Sequence, residues 1–115
     1  MTTIYKNSDE NINFTITDAD SATVDVDNIT ECNVSLVHRA SGKSIVNYKK
    51  GDLEFNSTTN VITIHLAKSV TASASTGVYD IHCLYSLTDA DFQGSKKTAI
   101  DIDECFLLAS SEFIT

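Results

Sequence analysis

Paired carboxylates are the residues whose spacing comes closest to a chemical site in this chain. Four D-x-D pairs occur, at Asp18/Asp20, Asp25/Asp27, Asp89/Asp91 and Asp101/Asp103. Calcium takes about six to eight oxygen ligands that converge on one point. The predicted fold puts the first and third pairs at opposite ends of the molecule, and none has the spacing of an EF-hand loop. We therefore interpret the pairs as solvated surface carboxylates, and we predict no metal and no cofactor.

The histidines give no stronger indication of chemistry. His38, His65 and His82 fall in three different predicted strands, without the spacing of a zinc site. The sequence also lacks the G-x-S-x-G, H-E-x-x-H and P-loop motifs. We predict that the protein is not an enzyme and that it has no catalytic residues.

The three cysteines form no C-x-x-C pair, which leaves a zinc site unsupported. Cys32 and Cys83 are predicted on the inner faces of two strands, B at 31–39 and F at 77–87, where antibody domains bridge their two sheets. An odd cysteine count and an N-terminus, Met1 to Lys6, without a secretory signal favour buried free thiols. A Cys32–Cys83 disulfide is the alternative.

Alternation of apolar and polar residues predicts the elements that carry these side chains. Its longest run is 77–87, where Tyr79, Ile81, Cys83 and Tyr85 share one face. Similar alternation marks further strands, at 11–17, 31–39, 61–66 and 97–103. Shorter strands are predicted at 44–49 and 53–56, and 67–76 has room for a single helical turn.

About seven strands at these intervals are typical of an all-β fold, an antiparallel immunoglobulin-like β-sandwich, with a small barrel as the alternative. We predict one domain over residues 1–115. In this assignment 11–17 is strand A, 31–39 is B, 77–87 is F and 97–103 is G. Tyr79, at the start of strand F, occupies the place of a tyrosine corner.

Charge and hydropathy narrow the choice of partners. The chain has 16 acidic and 8 basic residues, for a net charge of −8. Such a field repels phosphates and anionic lipids, so we predict neither nucleic-acid binding nor membrane binding. No stretch reaches the apolar length of a membrane span, and we expect the protein to be made and assembled in a cytoplasm.

A short apolar run, Cys105 to Leu108, follows the last strand that the predicted fold requires. It either extends that strand and caps the core, or forms a subunit contact. For the second case we predict a protein interface made by Ile4, Tyr5, Phe106 and Leu108, through which the chain associates with further copies of itself or with another protein.

Several segments together resemble the N-terminal domains of phage baseplate upper proteins and related small virion proteins. The segments are Ile4 to Lys6, Asn11 to Asp20, Cys32 to Val37 and Gly77 to Ile81. The second contains the pattern F-T-I-T-D, and the last has the form G-x-Y-x-I.

The resemblance implies a bacteriophage virion structural protein of the baseplate, tail, neck or capsid surface, assembled in the host cytoplasm. Its partners would be other virion proteins and further copies of itself, bound through protein–protein contacts. The alternative function is a carbohydrate- or protein-binding β-sandwich module of a bacterial surface protein.

Overall fold

The computed structural model describes residues 1–110, which contain eight strands, one short helix and three 3₁₀ turns. The strands are β1 Thr2–Tyr5, β2 Glu10–Phe14, β3 Ile29–His38, β4 Lys43–Lys49, β5 Glu54–Asn56, β6 Val61–Leu66, β7 Gly77–Asp89 and β8 Gly94–Ala109. One helix, α1, covers Lys68–Ser73, and 3₁₀ turns cover Val26–Asn28, Lys50–Asp52 and Ala90–Phe92.

These strands form two sheets that pack face to face. The larger has five strands in the order β1-β8-β7-β3-β4, and the smaller has three in the order β2-β6-β5. The protein is thus an all-β immunoglobulin-like sandwich, as the alternation predicted. Pairing is antiparallel except between β1 and β8, which run parallel, because the chain enters at one edge of the larger sheet beside its last strand.

The assignment of neighbouring strands from the sequence was wrong in one respect. Strand β3 was predicted as strand B, which in this architecture lies in the sheet opposite strand F. Instead β3 pairs directly with β7, with Val34 opposite Cys83, so β3 is strand C and β4 is C′. The B position belongs to β2, which pairs with β6. Alternation identifies the inward face of a strand but carries no information on its neighbour.

The core lies between the sheets and is formed by the inward residues of six strands. Val34, Leu36, Ile62, Ile64 and Ile81 are completely buried. Alternation in the predicted strand 97–103 also places Ile100 and Ile102 inward. They pack against the core but are only half-buried. The three strands of the smaller sheet cannot cover the whole inner face of the five-stranded sheet, so the first half of β8 keeps part of its inner face exposed.

Candidate functional site

The four residues predicted at a protein interface differ in their exposure. Ile4, Phe106 and Leu108 are only 3%, 1% and 1% exposed, whereas Tyr5 is 39% exposed. Ile4 lies opposite Leu108 in the parallel ladder, and Phe106 stacks on Tyr79 with ring centroids 5.0 Å apart. The run from Cys105 to Leu108 therefore extends the last strand and closes the core. Among the four residues, only Tyr5 exposes its side chain to a partner, and its place in a protein interface stays a prediction.

The cysteines are free thiols in this structure. Cys32 and Cys83 do face inward, but from neighbouring strands of one sheet, with their sulfur atoms 3.8 Å apart. They therefore cannot bridge the two sheets, which corrects the placement on which the disulfide alternative depended. The hydrogen bond to Cys32, together with burial, raises the pKa of Cys83, and burial raises that of Cys105 to about 11. At neutral pH these two thiols stay protonated and are weak nucleophiles.

Each histidine is held by local partners in a different part of the sandwich. The ring of His38 lies 2.8 Å from the Ser41 hydroxyl and 3.0 Å from the Thr76 carbonyl oxygen. His65 lies between Asn11 and Glu54 on the outer face of the smaller sheet, at 2.8 and 3.2 Å. Within residues 1–110, no three His, Cys, Asp or Glu side chains are arranged to hold a metal ion.

The D-x-D pairs are arranged differently from the sequence-based expectation. Asp18 and Asp20 belong to the connection 15–28, which crosses from β2 to β3 and therefore joins the two sheets. Strand β3 begins at Ile29 opposite Leu87, two residues before Asp89. The pairs Asp18/Asp20 and Asp89/Asp91 thus lie at the same end of the sandwich, and the prediction of opposite ends was wrong.

We call this end the acidic end, meaning the connection 15–28 together with the hairpin tip 90–93 and its flanking Asp89. Its carboxylates are Asp18, Asp20, Asp25, Asp27, Asp89 and Asp91. Three of them accept hydrogen bonds from backbone N–H groups within their own turns: Asp18 from Asp20 and Ala22, Asp25 from Asp27, and Asp89 from Asp91. These side chains fix the loops in shape, as short acidic residues commonly do.

Phe92 stands out at the tip of the β7–β8 hairpin. It is 55% exposed, although it is a large apolar side chain. The 3₁₀ turn Ala90–Phe92 holds its backbone, and Gln93 and Gly94 close the turn with φ of 58° and 95°. The Lys96 ammonium lies 5.5 Å from the ring centroid, which is cation–π range. The hairpin therefore presents an aromatic ring in a defined position.

Sequence reasoning did not single out Phe92. The available signal was an aromatic residue directly after the polar turn Asp89-Ala90-Asp91, between two long alternating runs. Loops carried by a rigid scaffold are frequent binding sites, and exposed aromatic residues are enriched at protein interfaces.

A second surface feature is a shallow depression on the outer face of the larger sheet. Small and polar side chains line its floor and rim, next to Leu84, which is 37% exposed. The polar groups are those of Asn33, Ser35, Asn47, His82 and Asp101. None of the helices in residues 1–110 has the length and apolar character needed to cross a bilayer.

No protein-family model, curated protein or solved structure matches the chain.

Proposed function

We propose that this protein is a non-enzymatic structural domain that binds another protein through its acidic end. The observation that carries the proposal is Phe92, exposed on a hairpin tip whose backbone is held by a 3₁₀ turn. An aromatic ring presented without loss of loop entropy is an efficient anchor for a protein pocket.

The chemistry of the partner follows from the surroundings of Phe92. Six carboxylates lie at the same end, and the whole chain carries a net charge of −8. A partner with a basic surface around an apolar pocket would complement both features, since opposite potentials steer association and suppress wrong partners.

We further propose that the setting is a bacteriophage virion, with the partner another virion protein. This part of the proposal is supported by the sequence resemblance of Asn11 to Asp20 and Gly77 to Ile81 to phage baseplate upper proteins. A small sandwich that acts by packing against its neighbours suits such a role in the baseplate, tail, neck or capsid surface.

The test has two stages. Genes for capsid or tail components beside the coding sequence would identify a prophage or phage, from which particles can be purified on a density gradient. The chain should then appear in the particle fraction by mass spectrometry. Its absence from intact particles would overturn the virion proposal.

Phe92→Ser then tests the binding surface, with Leu84→Ser as the matched control. Both side chains are exposed and apolar, at 55% and 37%, but Leu84 lies in mid-sheet on the larger sheet's outer face. We expect Phe92→Ser to reduce incorporation into particles by at least about tenfold, as is typical of loss of an anchor residue. Equal incorporation of both variants would contradict a role for the acidic end.

A second function, carbohydrate binding, is favoured by the depression on the larger sheet. Amide, hydroxyl and carboxylate groups of Asn33, Asn47 and Asp101 surround the apolar Leu84 there, and sugars require such a mixture of polar and apolar contacts. Glycan-array binding that is lost in Asn47→Ala and retained in Phe92→Ser would favour this function over the first.

A further inference from the structure

The strand position beside β2 is vacant within the described residues. In the smaller sheet β2 pairs with β6 on one side only. Strand β1, which precedes it in the chain, pairs with β8 of the other sheet instead. A cleft of about 250 Å³ opens between these two edges and contains Ile4, Ile12 and Phe106 in its lining.

The other three edges carry features that discourage pairing. Strand β4 has Lys43 and Lys49 at its ends. Its pairing with β3 is irregular, because the register shifts between Leu36 and Val37 of β3. Strand β5 has three residues, and β1 has four. Edge lysines, bulges and short strands are the usual protection against edge-to-edge association. Strand β2 has five residues in unbroken register with no lysine and no proline.

We propose that β2 pairs with β2 of a second copy of this chain, in antiparallel orientation about a two-fold axis at Ile12. The product is a continuous six-stranded sheet made from two three-stranded ones. This β2–β2 interface differs from the interface that the sequence predicted at the termini, and it does not depend on what the acidic end binds.

The residue pattern of β2 is complementary to itself in this register. Ile12 faces Ile12 of the second copy, and Asn11 faces Asn13. His65 and Thr63 engage the amide oxygens of Asn11 and Asn13 at 2.8 and 2.6 Å. Their NH₂ groups remain as donors for the neighbouring strand.

Charge also permits this register. Glu10 faces Phe14 of the second copy, so the two Glu10 carboxylates lie four residue steps apart along the strands, about 14 Å. That separation exceeds the Debye length of about 8 Å at physiological ionic strength. A shift of the register by one residue toward Glu10 would bring the two Glu10 carboxylates closer together. It would also place the apolar side chains of one strand opposite the outward side chains of the other.

Two strands of five residues bury less surface than a stable dimer usually does, so the association is weak. We expect a monomer at about 1 μM and a substantial dimer fraction near 1 mM, the range of a modest binding free energy. In sedimentation velocity, the weight-average sedimentation coefficient should rise with protein concentration over this range. The backbone amide NMR signals of residues 10–14 should also shift with concentration.

The decisive variant is N11K/N13K. Position 11 of one copy faces position 13 of the other in the proposed register, so the variant creates two pairs of facing ammonium groups. We expect its dimer fraction to fall at least about tenfold, with a melting curve close to that of the wild type. T88K/A99K is the matched control, because it adds the same charge at exposed strand positions of the larger sheet.

Each other outcome overturns the proposal. A wild-type monomer at every concentration excludes the dimer. A dimer that survives N11K/N13K but is lost in Tyr5→Ser belongs to the predicted terminal interface, and one lost only in Phe92→Ser belongs to the acidic end. The last two results would leave the proposed function standing, so the two failures can be told apart.

Discussion

Gly77 and His38 pack closely against each other at the start of β7. Gly77 has φ of +133°, and a Cβ atom there would lie 2.8 Å from Nε2 of His38. The His38 ring cannot easily withdraw, because Ser41 and Thr76 hold both of its nitrogens. Two residues later the Tyr79 hydroxyl donates to the Ser75 carbonyl oxygen at 2.6 Å, which is the tyrosine corner predicted from the sequence. These contacts fix the start of β7.

We predict that Gly77→Ala destabilises the protein by about 1–3 kcal/mol, because alanine adds both backbone strain and a steric clash. Gly51→Ala is the control: it has no atom within 4 Å of the added methyl group and no positive φ. It should change the free energy of unfolding by less than about 0.5 kcal/mol. Urea unfolding of both variants measures the difference, and equal effects would mean that the fit around His38 is loose.

Asp80 is a second residue whose environment has a measurable consequence. Burial acts to raise the pKa of its carboxyl, but hydrogen bonds from Arg39 and from the Glu104 backbone outweigh burial, and the net pKa is lowered. Arg39 Nε donates at 3.1 Å and the Glu104 N–H at 2.7 Å. A carboxyl with a lowered folded-state pKa stabilises the protein above its unfolded pKa, and this contribution is lost as the pH falls through the folded value.

Asp80→Asn should therefore lower stability at pH 7 by about 1–2 kcal/mol, the scale of hydrogen bonds to a charged group. The difference from wild type should begin to shrink below about pH 4, the ordinary pKa of an unfolded-state aspartate, and should narrow further as the pH falls through the lower folded-state pKa. Asp103→Asn serves as the control, since that side chain is 75% exposed and 3.6 Å from Arg39, and exposed ion pairs contribute little. Thermal melts at pH 7 and pH 3 test the prediction. A difference between Asp80→Asn and wild type that does not depend on pH would contradict it.

At the scale of elements, the sequence predicted where most strands lie but not how they pair. Apolar alternation placed β2, β3, β6 and β7 and the inward residues Val34, Ile64 and Ile81. It could not show that β3 joins β7 in one sheet, because each strand has the same inward face whichever neighbour it has. The candidate binding surface was harder still, since Phe92 lies in a turn and no periodicity identifies an exposed residue.

The end of β8 illustrates a second limit of alternation. The predicted strand stopped at Asp103, the first of two successive acidic residues, whereas β8 continues to Ala109. Between the pairs Ile81–Ile102 and Tyr79–Phe106, four residue steps of β8 span two of β7. Glu104 takes a left-handed conformation with φ of 54°. This irregularity moves the charged residues out of the ladder and keeps Phe106 and Leu108 facing inward.

Leu108→Ala should consequently lower the free energy of unfolding by about 2–5 kcal/mol, the cost of a cavity in a packed core. Tyr5→Ser, at the neighbouring edge and 39% exposed, should cost less than about 1 kcal/mol. Chemical denaturation of the two variants provides the comparison. A stable Leu108→Ala protein with altered self-association would restore the interface predicted for this residue from the sequence.

The whole molecule is elongated, with extents of 56 × 29 × 23 Å. The 16 residues of β8 account for the long dimension, at about 3.4 Å per residue. Strand β2 leads into the acidic end, so antiparallel pairing of two copies through β2 directs their acidic ends away from each other. The proposed dimer would then carry one Phe92 anchor at each far end, which suits a connector between two partner molecules.

This arrangement predicts opposite salt dependences for the two contacts. Each copy carries a charge of −8, so self-pairing works against net repulsion, and raising NaCl from 50 to 500 mM should strengthen the dimer several-fold by screening. Binding of the acidic end to a basic partner should weaken over the same range, because there salt screens an attraction. Sedimentation at both salt concentrations measures the first effect, and titration with a protein identified as the partner of the acidic end measures the second. The Phe92→Ser variant should keep the salt response of the dimer, because it changes neither the net charge nor any residue of β2. If added salt weakened the dimer, charge attraction between the copies would be holding it together. The pairing of two β2 edges, in which the only charged side chains are the mutually repelling Glu10 carboxylates, would then be the wrong contact.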